Sequence, residues 1–325
     1  MTEPALASPP RTRIDALDAA RGAALAAMAL YHATWDLGFL QLTPENYALT
    51  GPGHVAAHLI AGSFLSIVGI GLWLANGRGL RWHPFLARLA RIGGAALAIT
   101  AATWWWFPDA YIFFGVLHCI AVASLLALPF LRLPPLVTAL VAAAVVAAPF
   151  WVRHALLEEP VLSFLGLRTI PPRTNDYVPL FPWFGLVLLG LAAAKAGAPR
   201  LLRGPLGRWQ ARSGLARAAS FAGRHSLAIY LVHQPLLLAI LSGIAFLTGP
   251  HPRAGLPQFQ RDYAAQCERT GGRPDGCRIA ARCTGAALRR EGLWGLGGFT
   301  PLERQRAQAL SQDCYEAATG NGMAP

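Results

Sequence analysis

Charge is what this sequence has least of. Only 14% of its 325 residues are Asp, Glu, Lys or Arg, where a soluble domain spends roughly a quarter of its residues on them. That shortage excludes an ordinary water-soluble globule. Lysine is scarcer still: Lys195 is the only one, so the net charge of +12 is almost wholly arginine. Arginine-for-lysine bias reads as genome composition, and arginines beside apolar runs are the ordinary positive-inside pattern, so no nucleic-acid partner is expected. Cysteine is nearly missing where apolar residues are dense, Cys119 being the only one before residue 249. No cleavable leader is expected either, because the chain through Arg13 is polar and proline-bearing and the first apolar run is long enough to span.

What is present is apolar sequence, 54% of the chain. A helix needs ~20 mostly apolar residues to cross the ~30 Å hydrocarbon layer with its backbone hydrogen bonds satisfied internally. Runs at 18–40, 54–76, 91–107, 111–131, 134–152, 177–197 and 226–248 predict an all-α, polytopic transmembrane bundle of about seven spans. The expected order is a cytoplasmic segment over 1–17, a membrane domain over 18–248 and an extramembrane tail over 249–325. Arg11 and Arg13 precede the first span, Arg78, Arg81, Arg88 and Arg91 fill one loop, and Arg200, Arg203, Arg208, Arg212, Arg217 and Arg224 crowd another. Those loops are expected on the cytoplasmic side of a bacterial inner membrane. Loops 41–53 and 108–110 carry no basic residue, and 153–176 holds only Arg153, Arg168 and Arg173. They are expected outside.

The tail follows them. It has ten arginines, but a segment that long translocates largely regardless of charge. Cys267, Cys277, Cys283 and Cys314 all lie in it, and four cysteines suit two disulfides in an oxidising periplasm. The pairing is open. A zinc site is disfavoured by the lack of a close Cys-x-x-Cys pair, and no metal is expected. No internal repeat relates the halves of the membrane region, which weakens a secondary-transporter reading.

Ionisable side chains inside a span are costly unless paired or set in a wet cavity, so each is a functional candidate. Arg21 and His32 are 11 residues apart, almost three helical turns, which leaves both on one face about 16 Å apart. Asp18 lies a turn before Arg21 and Asp36 a turn after His32, so the stripe offers an ion pair and a carboxylate-oriented imidazole suited to general-base chemistry. His54 and His58, at i and i+4, share a face at the start of the second run. His118 and His233 lie inside later apolar runs, the latter just before Pro235. Either they line the same cavity or they join helices by hydrogen bonds. Asp176 precedes Phe181-Pro-Trp-Phe-Gly, placing a carboxylate at the outer interface beside Trp183, which is an interfacial anchor or the wall of a pocket mouth. Trp104, Trp105 and Trp106 read as an aromatic belt.

Five ordered segments carry a resemblance: Arg13-Ile-Asp-Ala-Leu-Asp-Ala-Ala-Arg-Gly, Ala61-Gly-Ser-Phe-Leu-Ser-Ile-Val-Gly, Phe113-Phe-Gly-Val-Leu-His, Asp176-Tyr-Val-Pro-Leu-Phe-Pro-Trp-Phe-Gly and Gly223-Arg-His-Ser-Leu-Ala-Ile-Tyr-Leu-Val-His-Gln-Pro. Over roughly 12–248 the chain resembles the bacterial members of the heparan-alpha-glucosaminide N-acetyltransferase catalytic-domain family, within the transmembrane acyltransferase superfamily. The resemblance implies transfer of an acetyl or short acyl group from acetyl-CoA or another acyl-CoA to a hydroxyl or amine of a cell-envelope sugar or similar glycan-like acceptor across the bilayer. The spacing from Arg21 to His32 also resembles the signature of the related sugar O-acyltransferases. His54 is the approximate positional match to the family's active histidine.

The resulting expectation is a membrane enzyme with His32, Arg21, Asp18, His54 and His58 as catalytic candidates. His118, Asp176, Trp183 and His233 are the candidates for binding substrate. His32 takes a proton from the acceptor and Arg21 neutralises phosphate or oxyanion charge, or else His54 or His58 carries the acetyl group covalently. A transporter using the same polar stripe and a scaffold acting through its disulfide-bonded tail are the rival classes. Oligomeric state is not legible.

Overall fold

A computed structural model describes residues 14–295 and 298–320, with the side chains of 198–202 outside that description. Arg11, Arg13 and the side chain of Arg200 therefore lie beyond it. Among the described residues every regular element is helical. Helices α1 (Asp15–Phe39), α2 (Gly51–Asn76), α3 (Trp82–Trp106), α4 (Val116–Leu126), α5 (Pro135–Trp151), α6 (Leu180–Arg203), α7 (Pro205–Arg208), α8 (Gly214–Arg224) and α9 (Ser226–Thr248) are followed by α10 (Leu256–Arg269), α11 (Pro274–Arg290) and α12 (Pro301–Gly320).

Each of the seven expected runs forms a helix. Gly51–Asn76, Trp82–Trp106, Leu180–Gly197 and Ser226–Thr248 are long and apolar enough to cross a membrane, while Val116–Leu126 and Pro135–Trp151 are shorter apolar helices. The chain is a helical membrane protein. Helix α1 has 25 residues, but it is alanine-rich and its apolar run is interrupted by Arg21, His32 and Asp36.

Two runs differ from the sequence expectation. The loop expected up to Arg91 ends at Arg81, since Pro84 is tolerated in a first helical turn and Arg88 and Arg91 ride within α3. The fourth run shortens because its first residues are drawn out as extended chain against the approach to α6: Asn175 N–H donates to Ala110 O at 3.0 Å and Val178 N–H to Phe114 O at 3.3 Å.

The chain forms two compact units, Met1–Leu30 with Val55–Gln234, and Tyr31–His54 with Pro235–Pro325. In the first unit α6 is central, with Val187, Leu188 and Leu191 fully buried. Glycines set how closely helices cross it. A Cβ on Gly69 of α2 would stand 1.9 Å from Val187 O, and one on Gly190 of α6 would stand 2.0 Å from Ser66 O. The same reciprocal arrangement joins α1 to α8, where a Cβ on Gly22 would meet Ala219 O at 1.9 Å and one on Gly223 would meet Asp18 O at 1.8 Å. Such small-residue crossings are the usual way membrane helices gain van der Waals contact where lipid removes the hydrophobic drive. The sole lysine is used here too: Lys195 donates to Phe130 O at 2.8 Å and also to Leu133 O, neutralising carbonyls at the end of a short 3-10 turn. Trp104, Trp105 and Trp106 are exposed, as an aromatic belt requires.

The second unit contains the tail. Helices α10, α11 and α12 pack around Leu288, Leu293 and Leu310, with Trp294 set edge-on to Phe259 at 5.3 Å and its indole N–H donated to Ala254 O. Disulfides Cys267–Cys277 and Cys283–Cys314 staple α10 to α11 and α11 to α12. Thr300 and Glu303 exchange hydrogen bonds as a capping box that starts α12. In the same unit Arg261 pairs with Glu45 at 3.0 Å, fastening α10 to the segment after α1.

Candidate functional site

In the first unit Asp176 is the best-defined polar centre. The residues before α6 run extended beside α4, and the Asp176 Oδ2 atom accepts the Val116 amide at 3.0 Å. Gly115 makes room for it: a Cβ there would stand 2.2 Å from that oxygen. An anion at the first turn of a helix satisfies an orphan N–H and suits the helix dipole. Burial nevertheless wins, pushing the carboxyl up from 3.8 to about 6, with the Val116 bond pulling the other way. The Cys119 thiol and the Tyr230 hydroxyl both lie within the field of this carboxylate.

His118 stands beside it with both ring nitrogens engaged. Gly115 N–H donates to Nδ1 at 3.2 Å, so Nδ1 is the acceptor and the proton sits on Nε2. Thr100 Oγ1 donates its one hydrogen to Ile112 O at 2.7 Å and accepts from Nε2 at 3.1 Å. Thr103 Oγ1 accepts the Ile112 amide at 3.0 Å. The imidazole thereby ties α3, the extended segment and α4 together, which is the helix-joining role.

His58 is different. It is exposed, and its ring stacks on that of Trp183, with centroids 5.4 Å apart and planes 25° apart. Trp183 is buried, 9% exposed, so the indole forms a floor beneath a reachable imidazole rather than an interfacial anchor. His233 is buried on α9, with Nδ1 2.6 Å from Tyr230 O. A carbonyl only accepts, so Nδ1 carries a proton.

The remaining candidates divide between the units. Asp18 and Arg21 form an ion pair at 3.0 Å in the first unit. His32 and the fully buried Asp36 lie further along the same unbroken helix α1, in the second unit, as does His54 at the start of α2. The structure thus brings His58 to Trp183, Asp176 to His118 through Gly115, and Asp18 to Arg21. Among the described residues no three His, Cys, Asp or Glu side chains gather as a metal site would need.

Sequence reasoning missed Thr100, Thr103 and Tyr230, and read Arg88 only as a loop residue. A signal for Thr100 and Thr103 existed: they are one turn apart on the side of α3 that meets its own returning chain.

The family described as heparan-alpha-glucosaminide N-acetyltransferase, catalytic, matches residues 13–235. No curated protein and no solved structure matches the chain.

Proposed function

From the chain's place in the heparan-alpha-glucosaminide N-acetyltransferase catalytic family, to which it belongs, we propose that it moves an acetyl or short acyl group from an acyl-CoA to a hydroxyl or amine of a cell-envelope sugar or similar acceptor. The observation that carries this reading is the extent of the match: residues 13–235 contain every histidine and carboxylate named above for the site. The His58–Trp183 stack supports it, because an exposed imidazole on an aromatic floor is placed to meet a sugar ring and take a proton from it. In this account a histidine of α1 or α2, His32 or His58, removes the acceptor proton as its oxygen or nitrogen attacks the thioester carbonyl. The CoA thiolate leaves and is protonated. With His58 as the base, Asp176 and Trp183 of the same unit hold the acceptor, and Arg21 meets negative charge on the donor. The arginine distribution supports a cytoplasmic N-terminus in a bacterial inner membrane, with the disulfide-bonded tail in the periplasm.

The test is CoA-thiol release by purified protein given acetyl-CoA and an amino-sugar or hydroxyl acceptor, in wild type, His32→Ala, His54→Ala and His58→Ala. Acceptor-dependent release lost in His32→Ala or His58→Ala names the base. Loss in His54→Ala alone, with label retained on protein before acceptor is added, assigns the covalent route instead.

A further inference from the structure

The connection between α1 and α2 is clasped by residues that lie outside the family match. Helix α1 ends in a Schellman motif, in which Gln41 N–H donates to Gly38 O at 3.1 Å and Leu42 N–H to Leu37 O at 2.8 Å. Gln41 has a φ of 57°, the left-handed position that glycine usually fills in this motif, and among the described residues it is the only non-glycine residue with positive φ. The tail answers its carbonyl: His251 N–H donates to Gln41 O at 2.8 Å, and Gly255 N–H donates to Pro44 O at 2.9 Å. Glu45 completes the clasp. Both its carboxylate oxygens receive the Arg261 guanidinium, at 3.0 and 3.1 Å, and its side chain is only 15% exposed. All of these residues belong to the second unit, and His251, Gly255 and Arg261 lie beyond residue 235, where the family match ends.

The other side of this connection is bound to the helices it joins. Asn46 Nδ2 donates to Trp35 O at 3.2 Å, Asn46 Oδ1 accepts the Ala48 amide at 3.2 Å, and Tyr31 O–H donates to Ala48 O at 3.3 Å. His54 N–H donates to Thr50 O at 2.9 Å as α2 begins. A shift of 41–50 would therefore move the last turns of α1, with His32 and Asp36, relative to the first turn of α2, with His54. An open surface ion pair contributes little, but a two-pronged pair on a sheltered carboxylate fixes direction as well as distance. We propose that Arg261 is a positioning residue: acting through Glu45, it holds the connection 41–50 and so sets where His54 stands relative to His32 and Asp36. On the acyltransferase reading, on which this assignment rests, the connection lies on the acceptor's side of the bilayer. The clasp then governs use of the acceptor and leaves use of the acyl-CoA alone.

The experiment uses the full chain in nanodiscs. Hydrogen exchange, and acetyl transfer from acetyl-CoA to glucosamine, are measured for wild type, Arg261→Gln, Arg261→Glu and the exchanged pair that combines Glu45→Arg with Arg261→Glu. Exchange of the backbone amides in 41–50 should quicken by about threefold in Arg261→Gln and about tenfold in Arg261→Glu, where attraction becomes repulsion. Helices α10, α11 and α12 should keep their protection, because Leu288, Leu293, Leu310 and both disulfides are untouched. The KM for glucosamine should rise by about the same factors while the KM for acetyl-CoA stays put. The exchanged pair should recover most of both changes. A purely structural role would lower the active fraction instead, and so lower kcat with both KM values unchanged. That pattern, or unchanged exchange in 41–50 and an unchanged glucosamine KM in Arg261→Glu, overturns the positioning role and spares the acyltransferase. Faster exchange in 41–50 that the exchanged pair reverses, in a chain whose wild type transfers no acyl group, keeps the clasp and overturns the acyltransferase.

Discussion

Asp176 holds the first turn of α4 from 60 residues further along the chain. Its carboxylate occupies the space that Gly115 leaves empty. The pairing joins two of the five family segments, and it stores energy, because a carboxyl pushed up to about 6 is held in a place that disfavours its charge. Strain of this kind gathers at functional sites.

That carboxyl gives a pH signature. Its folded pKa exceeds its unfolded value, so between about pH 4 and pH 6 the folded chain binds the proton more readily than the unfolded chain. This group's contribution to stability therefore falls as pH rises through that window and is flat above it. Asp176→Asn keeps an oxygen for the Val116 amide and removes the titration. Thermal unfolding in detergent from pH 4 to pH 8 should lose that slope in the variant. Above pH 6 the variant should be at least as stable as wild type, with transfer activity lost if the carboxylate holds the acceptor.

His118 should behave as a joint. His118→Ala leaves the Gly115 amide without its acceptor, and such a loss costs about 1–3 kcal/mol. Thr100→Val removes the opposite partner. Because the two share one chain of hydrogen bonds, unfolding of the double variant should show a cost smaller than the sum of the singles. Additive costs would mean the two side chains act separately.

The glycines in the family segments are contact surfaces. Gly69→Ala would push a methyl to within 1.9 Å of a carbonyl oxygen on α6, and overpacking of this kind costs about 1–3 kcal/mol. Gly93→Ala on α3 meets nothing within 4 Å and serves as the control. The expected result is a lowered unfolding temperature for the first and an unchanged or slightly raised one for the second.

Reduction should loosen the tail selectively. Its two disulfides close loops with sequence separations of 10 and 31, which the chain-entropy account values at about 3 and about 4 kcal/mol. Hydrogen exchange should show α10, α11 and α12 losing protection when the disulfides are reduced, with α6 unchanged. Equal protection before and after would refute the staple.

Helices were legible because a bilayer-length apolar run leaves the backbone one good option, and all seven runs are helical. Pattern failed where a local rule met a distant partner. The fourth run is apolar from 111 to 131, yet residues 111–115 are not helical, because residues 175 and 178 donate to the carbonyls of Ala110 and Phe114, and nothing near them in sequence says so. Arg88 looked like loop charge because a charged residue ends a hydropathy run. The helix continues through it, and only the register from Phe85 to Ile92 marks it as inward. Among the site residues, chemical type was readable and contact was not. His58 and His118 are both histidines in apolar helices, but only the stack on Trp183 and the bond from Gly115 separate a reachable imidazole from a structural one.

The central claim is acyl transfer, and the most direct measurement is the fate of label from acetyl-labelled acetyl-CoA supplied to the purified full chain in proteoliposomes with envelope glycan fragments. The account predicts label on the glycan, with matching release of CoA thiol, and its loss in His32→Ala or His58→Ala. Folded protein that moves no label from any of several acyl-CoAs, and instead takes up solute down an imposed ion gradient, would contradict it.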